Sequence, residues 1–73
     1  MAVEVFNDLD VVRCVRRLSH EIGKGSLGTV VMVLKPREWY LVEYFDDAHN
    51  TIGVLETMAV DLAHDRVAGG PSS

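Results

Sequence analysis

The residues best suited to chemistry are three histidines, one cysteine, a knot of carboxylates and a short basic run. His20, His49 and His64 fall in expected loops or turns among polar neighbours, with no spacing that makes them converge on a metal. They read as solvated surface histidines. Cys14 lies in an expected strand, with no histidine or helix N-terminus placed to lower its pKa, so it reads as a buried, inert thiol. Glu43, Asp46, Asp47 and Glu56 gather around one expected hairpin. Acid–base work by such a group requires a pocket that drives two pKa values apart; without one it is a soluble acidic rim. An enzyme or small-molecule binder using that rim with His49 is one alternative. Arg13, Arg16, Arg17 and Lys24, with Trp39, Tyr40 and Tyr44, could form a basic-aromatic surface for single-stranded nucleic acid. Against this, Glu21 interrupts the basic run and the tyrosines alternate with Val42 as a core face would. The sequence therefore nominates no catalytic, cofactor-binding or metal-binding residue, and the reading is non-enzymatic.

Length and composition narrow the options. Seventy-three residues make one domain with a thin stability margin unless something staples it. A single cysteine excludes an internal disulfide. Close packing or self-association remains. Hydrophobic residues at 48% and charged residues at 25% point to a folded chain. The net charge of −4 argues against non-specific phosphate binding. No apolar run is long enough to span a bilayer, and the acidic N-terminus lacks the features of a signal peptide. A cytoplasmic location is expected, and the free cysteine fits a reducing compartment.

The elements that must position these residues are short strands. Val3, Val5 and Phe6 belong to a strand or an ordered arm. Asp10–Arg17 reads as a strand, and Arg16–Lys24 as a loop folding Leu18 and Ile22 over one end of the core. Gly25 and Gly28 form a tight turn at the entry of the strongest strand, where Gly28 suits a positive φ or a close backbone approach. Thr29–Leu34 is apolar on both faces. Val30, Met32 and Leu34 are expected in the core, with Val31 and Val33 outward. A turn at Lys35–Glu38 leads to a strand over Trp39–Asp46, with Tyr40, Val42 and Tyr44 inward and Leu41, Glu43 and Phe45 outward. Asp47–Asn50 turns the chain into a strand over Thr51–Thr57. One helical turn over Met58–Leu62, capped by Thr57, and a last short strand over Ala63–Val67 complete the set. Residues 1–67 are read as a single small SH3-like barrel of about five antiparallel strands, with 68–73 as a flexible tail.

Four fragments in order carry a resemblance: LDVV at Leu9–Val12, GKGSLGTVV at Gly23–Val31, YLVEYFD at Tyr40–Asp46 and TIGVLETMAVDL at Thr51–Leu62. Together they resemble a family of short bacterial domains of unknown function. The resemblance implies an SH3-like barrel and no enzymatic activity. It also associates the chain with toxin-like or mobile-element neighbours, hence an antitoxin or immunity role. Gly25, Gly28, Val30 and Val33 are also similar to the turn and strand of KOW-type modules, which makes a KOW- or Tudor-like nucleic-acid-binding module the alternative.

What remains is apolar surface. Val31, Val33, Leu41 and Phe45 are the candidate interface, on adjacent strands and facing away from the core unless the N-terminal arm covers them. The expected function is a protein-interaction module whose partner is another protein or a second copy of itself. Nucleic acid, a membrane, a small-molecule substrate and a cofactor are not expected.

Overall fold

A computed structural model describes residues 5–65. Five antiparallel strands form one sheet: β1 (Val11–Cys14), β2 (Leu27–Lys35), β3 (Trp39–Phe45), β4 (Thr51–Met58) and β5 (Leu62–His64). Their spatial order is β4-β3-β2-β1-β5. A single 3-10 turn, Ala59–Asp61, joins the two outer strands. Strands adjacent in sequence but at opposite edges force the sheet to curl, giving the expected all-β, SH3-like barrel. The expectations for Val3, Val67 and the tail 68–73 lie outside the described residues.

β2 to β4 form a meander with tight turns. Tyr40, Val42 and Tyr44 alternate inward along β3 and are fully buried. They meet Val12, Cys14 and Val30 from the neighbouring strands. Gly28 allows the close approach. A Cβ there would lie 2.7 Å from Val42 Cγ1. The left-handed backbone falls instead at Gly25, with φ of 88°.

Two β-bulges shape β2. Val30 opposes Val42 but Met32 opposes Leu41, and Val33 opposes Tyr40 but Lys35 opposes Trp39. Val31 and Leu34 are the extra residues. Each bulge bends the strand and sends two successive side chains to the same side. This corrects the expected phase. Met32 and Leu34, expected in the core, are exposed, whereas Val33, expected outward, packs against the core.

The ends of the barrel are filled by segments outside the sheet. Ile22 is buried and Leu18 packs beside it, as expected from their spacing. Ile22 Cδ1 sits 3.3 Å from where a Gly53 Cβ would stand, so the loop seals the seam along β4. Phe6 plugs the other end. Its ring meets Tyr40 edge-on at 5.3 Å and lies 4.5 Å from His64, while its N–H donates to the Tyr40 hydroxyl. Of the described part of the arm, Phe6 anchors in the core and Val5 is exposed. Strand β1 is shorter than expected because Arg16 and Arg17 turn away to hydrogen-bond elsewhere. His64, expected in a loop, lies on β5.

Thr57 does not cap the 3-10 turn. Met58 occupies that position without a side-chain cap. The Thr57 hydroxyl is buried, donating to Leu55 O and bonded to the Tyr44 hydroxyl at 2.8 Å. Since Thr57 has one hydroxyl proton, the Tyr44 O–H is the donor in the second bond.

Candidate functional site

Directly opposed residues on antiparallel strands share a face, so the register fixes the outer surface of the meander. One row runs Lys35, Trp39, Met58. The next runs Met32, Leu41, Glu56. A third runs Thr29, Glu43, Val54. Met32 is 52% exposed, Trp39 37%, Val54 50% and Met58 42%. Leu41 is half-buried beneath its neighbours. Val31 and Leu34 add exposed apolar surface at the bulges. Trp39 and Met58 stand between two shallow hollows. One of about 170 Å³ is shared with Arg37, Ala59 and Val60. The other, about 220 Å³, is shared with Leu18, Leu55 and Arg16.

Of the four candidate interface residues, Leu41 and Phe45 lie on this outer face of β3, both half-buried, and Val31 is exposed beside them. Val33 lies on the core side. Met32, Trp39, Val54 and Met58 were not among the candidates. Trp39 shares parity with Leu41 and was legible on that ground. Met32 depends on a bulge, and Met58 on β4 running one residue further than expected.

The arginines bond to acceptors within the chain while their side chains stay largely exposed. Arg16 forms a bidentate pair with Asp61, Nε to Oδ1 and Nη2 to Oδ2, both 2.8 Å. That hydrogen bond and the carboxylate charge raise the Arg16 pKa. Arg13 donates to Asp65 Oδ1 at 3.1 Å and to Gly25 O at 2.8 Å. Arg17 reaches the carbonyls of Ser19 and His20. These contacts tie the loops and the β5 end to the sheet.

A cleft of about 410 Å³ does open beside the β3–β4 hairpin, lined by Arg13, Glu21, Asp46, Asp47 and His49 among others. One of its carboxylates holds the turn together. Asp46 accepts hydrogen bonds from the N–H groups of Ala48 and Asn50, which hold its pKa below the ordinary carboxylate value. That direction favours a permanent anion over a proton donor. Glu43 lies outside the cleft and accepts from the Thr51 hydroxyl. Cys14 is buried, its thiol donating to Gly23 O. Among the described residues no three His, Cys, Asp or Glu groups are placed to share a metal ion. Among them, too, no helix is long and apolar enough to cross a membrane.

Fold and surface together define a small all-β barrel with an apolar outer sheet face. No protein-family model, curated protein or solved structure matches the chain.

Proposed function

We infer that this chain is a protein-interaction module that associates with a second copy of itself through the outer face of β2, β3 and β4. The observation that carries this reading is the exposed apolar set Met32, Trp39 and Met58 around Leu41, which the barrel does not need for its core. A second copy is the occupant because the face is mixed in shape and sign. It offers the Trp39–Met58 ridge beside the lower surface of Leu41, and it carries Lys35 and Glu56 at opposite corners. Isologous association uses such self-complementary patches. The resemblance to the short bacterial domain family implies an immunity-type or mobile-element accessory setting, with which a binding role accords. The KOW-like alternative loses support because Arg13, Arg16 and Arg17 already hold internal partners.

The face covers on the order of 500 Å² per partner, smaller than a standard interface, so the dimer is weak, in the micromolar range or above. Sedimentation equilibrium across about 10 μM to 1 mM tests it. A monomer–dimer equilibrium is expected, abolished by Trp39→Lys and untouched by Val15→Lys, an exposed valine beyond β1 and off this face. A strict monomer throughout, or a dimer indifferent to Trp39→Lys, overturns the reading.

A further inference from the structure

We propose that the two copies pack face to face about a two-fold axis that sets Lys35 of each against Glu56 of the other, with their strands crossing at a large angle. The inference rests on the self-association just described and adds its geometry. It follows from the register of the outer rows. Lys35 opposes Trp39, Trp39 opposes Met58, Met32 opposes Leu41 and Leu41 opposes Glu56. Lys35 and Glu56 therefore occupy diagonal corners of a six-residue rectangle, with Met32 and Met58 at the other corners.

A two-fold axis between face-to-face sheets lies in the interface plane, so each residue meets the mirror position of another across that axis. With about 4.8 Å between strands and about 3.4 Å per residue, three simple placements can be compared. An axis along β3 sets Glu43 against its own copy. An axis across the strands through Leu41 sets Glu56 against its own copy. Both bury like charges. The axis that bisects the Lys35–Glu56 diagonal avoids this. It sets Lys35 on the other copy's Glu56 twice over, Trp39 on Met58 twice over and Leu41 on Met32 twice over. Glu43 then falls outside the contact. The strands cross at roughly 70°, close to orthogonal sheet packing. That crossing suits two curved faces, which touch over a compact patch.

Lys35 can exchange its partner to make this contact. Its present partner is Glu38, three residues away at 3.3 Å, and both side chains are more than half exposed. Exposed pairs of that kind are weak and readily exchanged.

Charge reversal tests the geometry. Sedimentation equilibrium is run on the wild type, Lys35→Glu, Glu56→Lys and the double reversal, with circular dichroism confirming the fold. Each single reversal makes two repulsive contacts per dimer and is expected to weaken association about tenfold. The double reversal restores both attractive contacts and returns the constant to within about threefold of wild type. Glu38→Gln, which removes only the intrachain partner, leaves it unchanged. A double variant as weak as the single ones overturns the proposed axis. If Trp39→Lys still dissociates that dimer, self-association through this face stands and only the geometry fails.

Discussion

Replacing Gly28 by alanine is the sharpest test of how β2 is locked onto β3. The added Cβ would lie 2.7 Å from Val42 Cγ1, 3.0 Å from Glu43 O and 3.0 Å from Tyr44 Cδ1. None of these atoms can easily yield. Val42 and Tyr44 are fully buried, and Glu43 O belongs to the backbone of a central strand. Gly28 is not in the left-handed region, so its backbone conformation is open to alanine. Taken alone, alanine would stabilise by about 0.4–1 kcal/mol through the unfolded state. Overpacking a buried site costs about 1–3 kcal/mol, and contact with both backbone and a buried ring places this site at the upper end. The net expectation is a loss of about 2 kcal/mol, or roughly 8–16 °C in Tm for a domain of this size.

Thermal and urea unfolding followed by circular dichroism measure this. Val42→Ala removes the nearest atom, so the Gly28→Ala/Val42→Ala double variant should be less destabilised than the sum of its parts by about 1 kcal/mol. Gly25→Ala gives the contrast. Its φ is 88° and nothing lies within 4 Å, so backbone strain alone operates, at about 1–2 kcal/mol, with no coupling to Val42. Gly28→Ala within about 0.5 kcal/mol of wild type, or strict additivity with Val42→Ala, would refute the reasoning.

Two further expectations concern pH. Burial pushes the Tyr44 hydroxyl up from 10.0 to about 12. A raised folded-state pKa gives stability that is complete below pH 10 and lost as pH climbs toward 12, about 3 kcal/mol in all. Tyr44→Phe should flatten that alkaline limb while costing about 1 kcal/mol at neutral pH; an unchanged limb in urea titrations at several pH values would count against it. Asp46 has the opposite sign: its folded-state pKa is lowered from 3.8, chiefly by the Asn50 N–H, so its contribution is present above pH 3.8 and lost as pH falls through the folded value. The stability gap between wild type and Asp46→Ala should therefore narrow in acid, and a gap constant with pH would show that the turn does not use the charge.

Much of the barrel was legible because strand alternation is a local signal. Tyr40, Val42 and Tyr44 announce a buried face, and the turns around Pro36 and Asp47 bound it. Leu18 and Ile22 were legible from their spacing. The phase of β2 was not. A run of valine, methionine and leucine looks the same on either face, and a bulge leaves no mark in such a run. The roles of Phe6, Thr57 and the arginines were also hidden, because their partners lie far away in sequence. Phe6 finds Tyr40 across 34 residues and Arg16 finds Asp61 across 45.

The same bulges bear on the proposed self-association. A straight β2 would turn alternate residues outward and bury the rest. The two bulges instead turn Val31, Met32, Leu34 and Lys35 outward and keep only Val30 and Val33 on the core side of that half. Curvature of a small barrel accounts for the bulges themselves. It does not account for the residues they expose. Lys35 occupies the second bulge beside Leu34, and Glu43 and Glu56 lie on the same outer face as Trp39 and Leu41. Polar side chains are therefore accepted at these positions by the fold. Met32, Leu34, Trp39 and Met58 are apolar on that same exposed surface. A feature that the core does not require, concentrated on one face, is what a binding surface adds to a scaffold.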